Sequence, residues 1–268
     1  MEEIASPEIG RAFHTGVDNS GGVHWRGIGG EFYTGIQPQG YLAQVNEKKE
    51  VNLLTVDWNG DPVTGVTLTL VFMEHRWYSV QEQAEDGNYY WTWTAEDTPV
   101  YTTTVTTGAE GQAVAAYTPR TAGSYRVRAT GQDTHGNEIL SSAYFWVWGG
   151  DEYVRWRRES NNRLELIADK DEYQVGDVAK ILLPSPYTGT VQALVTVERG
   201  QIMEKEVREL ETNSQVLHLP ITDKHMPNLF LSVVVVQGSE QAPDGLASFK
   251  MGLVKLPVSV ATKELNVS

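Results

Sequence analysis

The chain has 268 residues and a net charge of −14, from 35 acidic and 21 basic side chains. Its 40% hydrophobic content supports folded cores at a length that suggests about two domains, while the acidic excess repels phosphate backbones and argues against nucleic acid. With no cysteine, disulfides, thiol nucleophiles and cysteine-ligated metals are excluded together, and the compartment is left open.

In chain order, the first 30 residues hold seven glycines and no sustained period, so 1–29 is expected to be a tail or linker. The start "MEEIASPEIG" lacks the basic and apolar regions of a signal peptide. No run approaches about 18 apolar residues, so no membrane span is expected. From Glu31 the pattern turns strand-like. In "VTLTLVFME", Val66, Leu68, Leu70 and Phe72 alternate with Thr67 and Thr69; in "SYRVRAT", Tyr125, Val127 and Ala129 alternate with Arg126, Arg128 and Thr130. Period-two alternation marks half-buried strands, because successive side chains leave opposite faces of the pleat. Turn signals at 59–62, 110–112, 121–124 and 133–137 divide these runs, which argues for an all-β sandwich over 30–150. Tyr125 fits a tyrosine held at a sandwich corner.

A polar, arginine-rich linker is expected over 151–162, followed by a second sandwich over 163–257 built on runs such as "VAKILL", "VQALVTV" and "LFLSVVVV". The segment "IMEKEVREL", 202–210, has helical spacing at Met203, Val207 and Leu210 but no N-cap, and is expected to be a strand. The segments "PVTGVTLTLVFME" (62–74) and "PYTGTVQALVTVE" (186–198) echo one another, as two related domains in tandem would.

No catalytic residue, cofactor or metal site is expected. Nucleophile motifs are missing, the six histidines are scattered, and the acidic turns at 18–22, 85–88 and 133–138 do not match a calcium loop. Asp57, Asp61 and Glu74 come nearest to a carboxylate set, and His75 and His218 are assigned ordinary surface or packing roles. Alternation in "AYFWVWGG" sends Ala143, Phe145 and Val147 to a core, and Tyr144, Trp146 and Trp148 to the other face. That second set would dock against a neighbouring domain or, alternatively, stack sugar rings as a carbohydrate-binding module. Arg155, Arg157, Arg158 and Arg163 are expected to pair with carboxylates near the domain junction, so Tyr144, Trp146, Trp148, Arg155, Arg157 and Arg158 are the expected interdomain contacts.

The Y-x-x-G-D turn, the prolines before "YTG", the "LVTVERG" strand and "LHLPITDKHMPNLFLSVVVVQG" together resemble the alpha-2-macroglobulin family, most closely its bacterial members. The segment "GEFYTGIQPQGYLAQVNEKKEVNLLTVDWNGDPVTG" and "EHRW" resemble the domain that precedes it. The resemblance covers residues 30 to 268. It implies two consecutive seven-stranded antiparallel macroglobulin sandwiches, of immunoglobulin or fibronectin type III kind, with 258–268 opening a next domain. It further implies a non-enzymatic scaffold in a longer extracytoplasmic protein, periplasmic or secreted, that entraps endopeptidases after a bait segment is cut. Partners would be neighbouring macroglobulin domains and, through the full-length protein, the target endopeptidases. The family's thioester needs a cysteine that this chain lacks, and no long protease-labile bait insertion is evident.

Overall fold

A computed structural model describes residues 30–83, 87, 89–150, 153–157, 161–242 and 245–260. The expected tail over 1–29, the turn at 18–22, most of the turn at 85–88, Arg158 and the last eight residues fall outside that description, as do the side chains of Tyr89, Tyr90 and Trp91. The regular structure of the described residues is strand throughout, apart from one 3-10 turn at Asp223–His225, so the all-β expectation holds.

Contacts group the chain into two compact units. One comprises Met1–Arg76 with Glu96–Val147, and the other Trp77–Ala95 with Trp148–Ser268. The boundary therefore cuts three strands: the two arms of one long hairpin, whose end belongs with the second unit, and the strand that closes at Trp148.

In the first unit, β1 (Tyr33–Pro38), β3 (Lys49–Val56) and β6 (Gln112–Tyr117) form one sheet, in the order β1-β3-β6. The other sheet runs β2-β8-β7-β4-β5 and uses β2 (Leu42–Gln44), β4 (Thr67–Gln83), β5 (Tyr89–Thr106), β7 (Gly123–Gln132) and β8 (Glu138–Trp148). The alternation in the sequence becomes the core between them. Leu68, Leu70, Phe72, Val127, Ala129, Phe145 and Val147 have no solvent exposure, and Tyr125 is buried with them. Each such side chain contributes about 1.5–3 kcal/mol if it is aliphatic or phenyl, which makes this face decisive for register.

Tyr125 closes the corner as expected. Its hydroxyl donates to the carbonyl of Thr121 at 3.0 Å and lies 2.8 Å from Thr121 Oγ1, while burial pushes its pKa up to about 12. Two other devices were not legible in the pattern. Lys49 is buried, and its Nζ donates to the carbonyls of Gln39, Gly40 and Leu42, tying down the turn between β1 and β2. Gly111 has a φ of 66°, and a Cβ there would stand 2.3 Å from the carbonyl oxygen of Thr55, so the turn before β6 requires glycine.

The second unit repeats the plan. Strands β9 (Ile167–Ala168), β10 (Val178–Pro184) and β13 (Ser214–Pro220) form a sheet with β10 in the middle. The second sheet runs β12-β11-β14-β15 and comprises β11 (Val191–Glu198), β12 (Ile202–Leu210), β14 (Asn228–Gln237) and β15 (Ser248–Pro257). This matches β5-β4-β7-β8 strand for strand. The sequence echo is real at this level: β4 and β11 each begin at the sixth residue of their echoed segment. The core holds Ala179, Ile181, Leu183, Ala193, Leu229, Val233, Val235 and Leu256, all without solvent exposure. Segment 202–210 is the strand β12, as expected despite its helical spacing. Its Cα register against β11, from Val191↔Leu210 to Glu198↔Ile202, shows why: backbone pairing with β11 overrides the propensity of its Glu and Lys residues.

Candidate functional site

In the second unit, the short segment Tyr153–Arg157 is held in place rather than left as a free linker. Asn213, which follows β12 and is buried, acts as a clamp. Its Oδ1 accepts from the Val154 N–H at 3.0 Å, and its Nδ2 donates to the carbonyls of Val154 and Ser185 at 2.7 and 3.2 Å. Its own carbonyl accepts the Trp156 indole N–H at 2.6 Å, and Trp156 is itself buried. The Tyr153 hydroxyl donates to the carbonyl of Pro186 at 3.1 Å.

The clamp aims Arg155 and Arg157 at the end of the β4–β5 hairpin, which belongs to the same unit. Arg157 lies over the Trp93 ring at 4.0 Å and over Trp77 at 5.4 Å, and those two indoles meet edge to face with centroids 5.0 Å apart. Arg155 lies over Tyr78 at 6.0 Å. Both arginines thus lie over aromatic faces, a planar-stacking role that lysine would not fill. Trp148 also sits in this unit, where its ring meets His218 on β13 edge to face at 6.2 Å. Arg158 lies outside the described residues.

Tyr144 belongs to the first unit and is engaged there. Its ring meets His75 edge to face at 5.2 Å, with the Arg126 guanidinium 5.6 Å over it. His75 Nδ1 lies 2.7 Å from Asp97 Oδ1, and Asp97 Oδ2 accepts from Arg126 at 3.0 Å. Arg126 also donates to Ser142 Oγ at 3.1 Å. The group is a polar network on the outer face of the five-stranded sheet, consistent with the packing role read for His75. Trp146 is half-buried, and its backbone N–H donates to the Tyr41 carbonyl at 2.8 Å. The aromatic face suggested for sugar stacking is therefore already engaged at Tyr144 and Trp148.

Among the described residues, one group has metal-ligating atoms within reach of one another: Glu31, Asp133 and His135. Asp133 Oδ1 accepts from the backbone N–H groups of His135 and Asn137, and its Oδ2 accepts from Asn137 Nδ2 and the Glu31 N–H. Glu31 in turn accepts from the Thr134 hydroxyl and N–H. These bonds hold both carboxyls below the usual range, through the Asn137 side chain for Asp133 and the Thr134 side chain for Glu31. The oxygens that would bind a cation already hold the "DTHGN" turn together.

Asp57, Asp61 and Glu74 are not brought together. Asp57 Oδ1 caps its own turn by accepting from Asn59 and Asp61, and Glu74 Oε1 accepts from Thr121 in the tyrosine corner. Glu198 accepts from the Thr196 hydroxyl on its own strand, beside a β-bulge, and Arg199 donates to the carbonyl of Met226.

Two family models match successive stretches of the chain, with residues 77–95, grouped with the second unit, falling inside the first match. Residues 35–149 match a family model described as bacterial macroglobulin domain 6, and residues 164–268 match one described as the alpha-2-macroglobulin bait region domain. The second match covers the stretch in which no long bait insertion is evident from sequence. The chain is similar to an alpha-2-macroglobulin homolog of a Nostoc species, 24% identical over 74% of this chain and 10% of that protein. It is also similar to the alpha-2-macroglobulin of Escherichia coli, 26% identical over 54% of this chain and 9% of that protein. The chain thus spans about a tenth of the length of the curated relatives it matches. A cryo-EM reconstruction of the native E. coli protein aligns with 89% of this chain and 16% of that one, at 18% identity and a TM-score of 0.38.

Proposed function

Because the chain belongs to the bacterial alpha-2-macroglobulin family, we propose that its two sandwiches are a non-catalytic scaffold within a longer, extracytoplasmic protein that traps endopeptidases. In this reading a protease cuts a bait segment, the longer chain rearranges around it, and the sandwiches hold the neighbouring macroglobulin domains in register. The observation that carries it is the pair of successive family matches, each coinciding with one copy of the same strand order. The internal bonding of the polar clusters supports a scaffold role, since Asp133 and Glu74 commit oxygens to a turn and a corner, and Asp97 bonds His75 and Arg126 within its own sheet. The match to a bait-region domain supports placing the cut within or beside the second sandwich.

Entrapment shields a protease from large substrates but leaves its active site open to small ones. The intact polypeptide that contains this chain is expected to suppress trypsin cleavage of a folded protein substrate while sparing hydrolysis of a small chromogenic amide. The 268-residue chain alone should change neither rate. Equal loss of both activities with the intact polypeptide would point to active-site blockade and overturn trapping.

A further inference from the structure

The outer face of the four-stranded sheet in the second unit is apolar and open. Strand register aligns Val207 with Leu194, Leu194 with Val234, and Val234 with Met251, so one row is apolar across all four strands. Val207, Leu194 and Met251 are 69%, 42% and 47% exposed, while Val234 is half-buried at the centre. The neighbouring row ends in Val236 opposite Phe249, 45% and 46% exposed, and Leu253 extends the patch at 57%.

The fold itself does not require this. In the first unit the corresponding strands interrupt that face with Thr69, Arg126, Arg128, Thr130 and Ser142, set among Val71, Met73, Leu140 and Tyr144. A sheet with one solvated face normally alternates apolar and polar residues, as β7 does. In β14 and β15 the solvated face is largely apolar, broken at Ser232 and Lys255, and contiguous exposed patches of that kind mark interaction surfaces.

The size of the patch selects the occupant. Six half-exposed side chains amount to on the order of 500 Å² of apolar surface, short of the roughly 800 Å² per partner that stable free-standing complexes bury. Mutual repulsion between two chains of charge −14 further opposes self-association. A partner on the same polypeptide escapes both limits, because tethering raises its effective concentration to about millimolar and makes a small interface sufficient. The flat four-strand row suits another flat sheet face, with Glu209, Lys205 and Lys255 forming a charged rim.

We propose that this face docks sheet-on-sheet against another sandwich domain of the same longer polypeptide, outside residues 1–268. The proposal rests on the reading of the chain as part of a longer macroglobulin.

The cysteine-free sequence makes the test direct. Leu194→Cys and Met251→Cys are placed singly in the 268-residue chain and in the intact polypeptide. Maleimide labelling at each position is read by peptide mass spectrometry and normalised to the rate in urea. Labelling is expected to be rapid in the 268-residue chain and at least tenfold slower at both positions in the intact polypeptide. Equal rates in the two contexts overturn the docking. Labelling of the 268-residue chain that slows with concentration, with a dimer mass by light scattering, overturns it in favour of a second copy. Protection that appears only after a protease is added overturns it in favour of the prey. Because trapping is measured separately on the same polypeptide, equal labelling with trapping intact rejects the docking alone. Protection without trapping rejects the functional reading alone.

Discussion

At Asn213, replacement by alanine removes three side-chain hydrogen bonds at a buried position and leaves the N–H and carbonyl of Val154 without the partners they have now. Unmet buried backbone groups cost more than the bonds themselves contribute, so Asn213→Ala is expected to lose about 2–4 kcal/mol in urea unfolding followed by tryptophan fluorescence. Asn213→Asp keeps the shape but turns an acceptor toward the carbonyls of Val154 and Ser185, and should be no milder. His225 sets the acid limb of stability. Burial, with Lys224 beside it, lowers its pKa, and Nδ1 accepts the Thr222 N–H, so protonation would cost that bond. The unfolded chain takes up its proton near pH 6.5, before the folded one does, and stability should fall as pH drops below about 6.5. His225→Asn retains an acceptor without the titration and should flatten the limb just below about pH 6.5, checked by urea midpoints across pH. At the other end, Tyr125 ionises at about 12 when folded but near 10 when unfolded, so stability should fall as pH rises above about 10.

Strands were the legible elements, because a two-residue period survives in the sequence wherever one face is buried. β7 and β4 could be assigned residue by residue for this reason, and the tyrosine corner followed from the turn before β7. β12 was harder to read: it is an edge strand with charge on both faces, so no alternation marks it and only pairing with β11 settles its form. The clamp at Asn213 and the carbonyl cage of Lys49 left no pattern at all, since each joins residues whose nearness depends on the finished fold. For the arginines, the acidic composition pointed to carboxylates, and the rings that the hairpin end lays under Arg155 and Arg157 left no mark in the pattern. β15 shows the same contrast between neighbours within one strand. A Cβ at Gly252 would come within 2.6 Å of the Leu164 carbonyl and of Leu166 Cγ, whereas Leu253 faces solvent. Gly252→Val is expected to cost about 1–3 kcal/mol or more and to push residues 162–164 off the strand. Hydrogen exchange would then rise at the amides of Leu164 and Met251, which now donate to Met251 and Asn162. Leu253→Ala in the 268-residue chain should stay within about 0.5 kcal/mol.

Across the whole molecule, the repeat gives a ruler for the feature that breaks it. Past the echoed acids Glu74 and Glu198, β11 ends at once, while β4 continues to Gln83 and returns through β5 from Tyr89. The added length lies over Trp77–Ala95, the same residues that group with the second unit instead of the first. The extension is therefore a structural part of the second unit, carried on strands that begin in the first. Replacing 77–95 by a short turn like Arg199–Gly200–Gln201 tests this, because the shortened hairpin has a working precedent in the second sandwich. Such a variant keeps the first core, whose buried residues lie outside 77–95, but removes Trp77, Tyr78 and Trp93 from under Arg155 and Arg157. Each cation–π contact contributes about 0.5–2 kcal/mol, so the second unit is expected to lose about 1–3 kcal/mol. Hydrogen exchange should accelerate at 153–157 while the amides of β7 keep their protection. Unchanged exchange at 153–157 would show that the Asn213 clamp alone holds that segment and that the extension belongs to the second unit by proximity only.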